Sequence, residues 1–190
     1  MRRIVILGVA MAATFSVVAV DAISVSASGD EFVSSKAGKI KSKETTAQKF
    51  KTSAGTIECK EVTGSSEVGS SELKSVTHKE VLTFGTCKGF GENVTISAAD
   101  LELNANGSAK LEKRVILTPE GAGCEVLIEP QTLEKFVYSN ATGGKVTIEP
   151  KVTKIHSEGT GGVCGAENTE GSYSGTLTSE LEGGTVEWKS

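Results

Sequence analysis

The stretch Gly55–Ala98, GTIECKEVTGSSEVGSSELKSVTHKEVLTFGTCKGFGENVTISA, decides how the chain is read. It holds two of the four cysteines, Cys59 and Cys87, each in a run with strand character. Ile57 and Cys59 alternate with Glu58 and Lys60, so one pair turns inward and the other meets solvent. Gly64–Ser71, GSSEVGSS, reads as a loop by composition. Glu72–Phe84 reads as a long strand, and Gly85–Gly91 as a loop carrying Phe90 between two glycines. Glu92–Ala98 alternates again, with Val94, Ile96 and Ala98 inward. A Cys59–Cys87 bridge would staple the first strand to the one that returns after GSSEVGSS.

The same period continues on both sides of this stretch. Gly29–Lys43 is a polar, lysine-rich lead or first short strand, and Thr45–Ser53 is a strand. Asn106-Gly107 lies between Leu101–Leu103 and Leu111–Leu117, the dipeptide that a type I′ hairpin turn favours. Cys124, Val126 and Ile128 share one face, and Pro130 ends that run because proline cannot donate to a ladder. Leu133–Ser139 and Lys145–Ile155 form a hairpin across Asn140–Gly144, with Pro150 marking an edge or a bulge. Ser157–Gly171 is a long glycine-rich loop. Tyr173–Leu181 alternates, and Gly183-Gly184 leads into a last strand, Thr185–Lys189, with Val186 and Trp188 inward. No segment after residue 27 has helical apolar spacing. These signals predict an all-β domain over residues 28–190, an antiparallel β-sandwich or barrel of about ten strands.

Residues 1–27 read as a signal peptide. Arg2 and Arg3 precede the weakly apolar run Ile4–Val20, and Val25-Ser26-Ala27 fits a cleavage site, with Val20-Asp21-Ala22 as a second choice. The alternative is a retained anchor, for which the run is short and diluted by Gly8, Thr14 and Ser16. Losing Arg2, Arg3 and Asp21 takes the formal charge from −4 to −5. The expected localisation is secreted or extracellular, with no stable membrane span after cleavage. An acidic chain with dispersed lysines excludes nucleic acid as a partner.

All four cysteines, Cys59, Cys87, Cys124 and Cys164, lie beyond the signal segment. An even number in an exported chain reads as disulfides, and three connectivities are possible. Consecutive pairing, Cys59–Cys87 and Cys124–Cys164, is favoured because neighbouring strands are usually adjacent in space. No cysteine pair has the short spacing of a zinc site, so no metal and no cofactor is expected.

G-T-I-x-C at 55–59, F-x-x-C-x-x-F-G at 84–91, C-x-V-x-I-x-P-Q at 124–131, Y-x-N at 138–140 and G-x-Y-x-G at 171–175 form a pattern of turns and cysteines. In it the chain resembles small exported β-rich proteins of soil actinobacteria, whose function is unassigned. Such proteins often carry a further cysteine pair near the middle, which is missing here between 88 and 123. The resemblance implies export and an all-β fold, and no activity.

Catalytic signals are sparse. His78 alternates with charged neighbours and reads as strand surface, and His156 ends a strand beside Ser157 and Glu158. In GSYSG at 171–175 the nucleophile position of a G-x-S-x-G elbow holds Tyr173. Three Asn-x-Ser/Thr triplets, at Asn93, Asn106 and Asn140, read as turns and strand starts. Phe90 and Trp188 are the aromatic candidates for a binding surface, each with a core-packing alternative. The expectation is a non-enzymatic, disulfide-stapled protein with a structural or binding role outside the cell or in its envelope. Two alternatives stand beside it. One is a small-molecule or glycan binding module using the Phe90 loop; the other is an exported hydrolase with a Glu/His site. The sequence names no partner.

Overall fold

Five strands of 13 to 16 residues carry the architecture: β2 (Gly38–Thr52), β3 (Gly55–Val68), β5 (Thr77–Gly89), β13 (Lys145–Thr160) and β14 (Asn168–Leu181). The computed structural model describes residues 29–161, 164, 165 and 167–190. The signal segment and its cleavage site lie outside the described residues. Shorter strands complete the chain: β1 (Glu31–Ser34), β4 (Lys74–Ser75), β6 (Glu92–Ile96), β7 (Ala99–Asn104) and β8 (Ser108–Leu111). They continue with β9 (Val115–Pro119), β10 (Glu125–Ile128), β11 (Thr132–Glu134), β12 (Phe136–Ala141) and β15 (Val186–Lys189).

Eight strands close on themselves in the order β2, β3, β5, β6, β9, β10, β13, β14, every neighbour antiparallel. The all-β expectation is met, and of its two forms the chain adopts the barrel. Closure leaves these strands without edges, the positions where a sheet recruits other chains. It holds at one end only. The first half of β5 leaves β6 and pairs with β7, which continues to β8 and β11. The first half of β13 pairs with β12. A separate three-stranded sheet, β15-β1-β4, caps this opened end.

The long strands alternate as water-soluble barrels require. On β2, Lys39, Lys41, Lys43, Lys49 and Lys51 face solvent while Ile40, Ser42, Gln48 and Phe50 face in. A membrane-spanning barrel shows the opposite pattern, apolar outward. The alternation breaks near mid-barrel. The β2 register shifts between Lys43 and Gln48, β14 shifts around Thr176, and β13 shifts between Thr153 and Ile155. Thr86 on β5 and Lys154 on β13 take positive φ, 49° and 61°. Each irregularity strands backbone groups, and side chains answer them. The Glu44 carboxylate accepts the Val62 N–H at 2.9 Å, and the Gln48 amide donates to the Thr46 and Thr176 carbonyls at 3.1 Å. Gly175 has no Cβ where the Gln48 side chain lies.

Both disulfides have the consecutive pairing. Cys59 and Cys87 face each other across β3 and β5, and Cys124–Cys164 ties the β13–β14 connection to the start of β10.

Several boundaries differ from the sequence reading. Gly64–Val68 is strand, not loop, because Gly64 gives up its side chain to a neighbour across the sheet. Gly85–Gly89 stays in β5 through the kink at Thr86. The glycine-rich loop shrinks to 161–167, since β13 runs to Thr160 and β14 starts at Asn168. His156 therefore lies within β13. Ala98 is exposed and Ala99 takes the inward place. At Asn106-Gly107 only Gly107 has positive φ, so the turn is a three-residue loop rather than type I′. The 140–144 hairpin forms as expected. Pro150 lies in a strand paired on both sides, in a gap of the β13–β14 ladder between Ile148↔Leu177 and Lys151↔Ser174.

Candidate functional site

Among the described residues, the capped end turns an imidazole and a carboxyl inward, and the closed end does not. Parity on β5 sets it up: with Leu82 and Phe84 turned inward, His78 and Glu80 must follow, and Val81 goes out, 40% exposed. Glu80 is fully enclosed. A Cβ on Gly64 would overlap its Oε1, which explains a glycine in mid-strand. Ser42 lies beside the Glu80 carboxylate against Gly64, and Ser42 Oγ meets Ser179 Oγ at 2.7 Å. The result is a polar row, Ser179–Ser42–Glu80, across β14, β2 and β5. Burial pushes the Glu80 pKa up to about 7, against the opposing effect of the Ser42 hydroxyl. Burial, and secondarily the Glu80 charge, raises the hydroxyl pKa of both Tyr138 and Tyr173.

Above this row lies a recessed pocket of about 130 Å³, between the three-stranded cap and the barrel. Its floor is apolar: Phe32, Ile40, Val68, Val146, Ile148 and Val186. Its polar wall contains His78, Ser179, Glu67 and Glu72. His78 Nε2 hydrogen-bonds Ser66 Oγ at 2.8 Å, and its ring packs against Phe32 of the cap with centroids 5.9 Å apart. Burial lowers the His78 pKa to about 4, partly offset by the Glu72 charge, so the imidazole is neutral at physiological pH. His78 is thus an inward residue under the cap, not strand surface. The overlooked signal was the parity set by Leu82 and Phe84.

The cap is assembled from distant parts of the chain. β1 pairs with β15 over four residues and with β4 over two. Asn140 on β12 brackets the backbone of Trp188, donating to its carbonyl at 2.9 Å and accepting its N–H at 2.8 Å. The side-chain amide stands in for one rung of a ladder. Gln131 does the same for His156, with contacts of 2.8 and 2.9 Å. These two amides end the P-Q and Y-x-N elements of the sequence pattern, which gives both a structural reason.

The aromatic candidates lie outside the pocket lining. Trp188 is half-buried, leans on Tyr138, and donates Nε1–H to the Ala105 carbonyl at 3.0 Å, anchoring the cap to the β7–β8 turn. Phe90 and Gly91 form the two-residue turn between β5 and β6, both at positive φ. The Phe90 ring folds back beside Gly55 and packs against the core. His156 sits on the surface, 3.6 Å from Glu167.

Among the described residues, Ser66–His78 is the one serine–histidine hydrogen bond that resembles part of a hydrolytic triad. Among the described residues no carboxylate hydrogen-bonds the other nitrogen of that ring, and no group of three His, Cys, Asp or Glu is arranged to hold a metal. No protein-family model, curated protein or solved structure matches the chain.

Proposed function

We propose that this is a secreted, non-catalytic β-barrel module with a structural or binding role in the extracellular space or cell envelope. The carrying observation is the pair of disulfides, which staple a barrel whose outer face is charged. Disulfides form and persist in oxidising compartments. The Arg-start, apolar run and Val-Ser-Ala of residues 2–27 support export. Expression in an exporting host tests this: the recovered protein should begin at Ser28 and contain no free thiol. A membrane-bound chain retaining residue 2 would contradict it.

A hydrolase is the second reading, favoured by the Ser66–His78 contact alone. A histidine held neutral down to about pH 4 is a weak base, and no third group orients it. A fluorophosphonate probe should therefore leave Ser66 unlabelled. Covalent labelling that disappears in Ser66→Ala would make the protein an enzyme.

A further inference from the structure

We propose that the pocket under the cap binds a compact organic cation, an ammonium group carried on a small apolar body. This rests on the binding side of the function proposed above and gives it a site and a ligand class.

Size comes first. A cavity of about 130 Å³ is close to the engineered apolar cavity of ~150 Å³ that accommodates benzene. The ligand body therefore has about six to eight heavy atoms. Phe32, Val146, Ile148 and Val186 offer it an apolar surface contributed by three strands, β1, β13 and β15.

Charge decides the head group. Glu67 and Glu72 line the pocket, and Lys79 is the single lysine among the lining residues. Behind the wall, Ser179 meets Ser42, which lies beside Glu80, a fully buried carboxyl with one oxygen unpartnered. A positive head group complements the two lining carboxylates, Glu67 and Glu72, whereas an anion would meet both. The histidine fits the same assignment. In the Nε2–H tautomer, which donates to Ser66 Oγ, Nδ1 is an acceptor that an ammonium N–H can use.

Access follows from the cap. β4 has two residues and two pairing partners on β1, the weakest attachment in the sheet. The turn before it is held by the Glu72 carboxylate accepting the Gly69 N–H at 3.0 Å. Parting β4 from β1 opens the pocket while the barrel stays closed.

The test uses three probes of nearly equal shape on the disulfide-intact secreted protein at neutral pH: benzylamine, benzyl alcohol and benzoate. Titration calorimetry measures affinity, and NMR of the His78 ring locates binding. Benzylamine should bind saturably and shift the His78 resonances. Benzyl alcohol should bind about five- to tenfold more weakly, the worth of a partly screened ion pair. Benzoate should not bind. Glu72→Gln, an exposed position, should narrow the ratio of benzylamine to benzyl alcohol affinity. Equal binding of the three probes, no binding of benzylamine, or shifts confined to residues outside the cap would overturn the proposal. None of these outcomes alters the N-terminus, the thiol count or the probe-labelling result, so the function proposed above stands or falls separately.

Discussion

At the disulfide end Ile57, Cys59, Val94, Leu117 and Val126 fill the barrel with apolar groups, whereas at the capped end the inward positions hold Ser42, Gly64, His78, Glu80 and Ser179. The same strands β2, β3, β5 and β14 run through both ends, so along them the change of inward chemistry is written in the sequence. Apolar filling stabilises whatever the pH. A buried acid and a buried imidazole stabilise or destabilise according to their protonation. One end is a clamp, and the other responds to its surroundings.

The largest expected effect breaks the clamp. Replacing Cys59 and Cys87 together by alanine should cost about 3–4 kcal/mol, by the chain-entropy relation for their 28-residue separation. A lowered denaturant midpoint would report it. An unchanged midpoint would mean that the apolar packing alone holds the closed end.

Next comes the acid. Glu80 keeps its proton in the folded state up to about pH 7, while the unfolded chain loses it near the ordinary 4.5. Stability therefore falls as pH rises from about 4.5 to 7, and above that window the full cost is present. Glu80→Gln should remove a cost of about 3 kcal/mol at pH 8 and change little at pH 4. His78 slopes the other way. Its folded pKa is depressed to about 4, so its contribution is complete above 6.5 and is lost as pH falls toward 4. The two slopes oppose each other in the wild type. Glu80→Gln should expose the histidine slope, with thermal stability rising from pH 4 to 6.5. A flat profile in that variant would show that His78 titrates normally.

A smaller effect concerns the rim of the closed end. Phe90→Ala should destabilise by about 2 kcal/mol, less than a full aromatic truncation because the ring is half-buried. A midpoint equal to wild type would place the ring in solvent and return it to the binding candidates. The smallest effect tests the cap: Asn140→Ala removes both bridges to Trp188 and should cost about 1–2 kcal/mol. Faster amide exchange should be confined to β1, β4 and β15; a change spread through the barrel would show that cap and barrel unfold together.

Alternation was readable wherever inward residues were apolar. Cys124-Val126-Ile128 and Tyr173–Leu181 give their faces directly, and the cysteine pairing followed from strand neighbours. The capped end was opaque for the same reason it is chemically interesting. A strand with serine, glycine, histidine and glutamate turned inward has no apolar period to detect, so Gly64–Val68 looked like a loop and His78 like surface. Gly64 is explained by a carboxylate across the sheet, and such a reason is invisible along the chain. The barrel's mid-height shifts also hid the strand lengths, because Glu44 and Gln48 repair breaks that no local pattern announces.

The pairing of β1 with β15 has a consequence in time. Phe32 is among the first described residues to be synthesised, and its partner Trp188 is among the last. During synthesis the barrel strands β2 to β14 can find one another while β1 waits. The pocket then exists only in a chain synthesised through β15, and a nick anywhere between Leu181 and Val186 would cut β15 from β14 while leaving the barrel closed. The integrity of the pocket would report whether β15 had reached its place and stayed joined to the barrel.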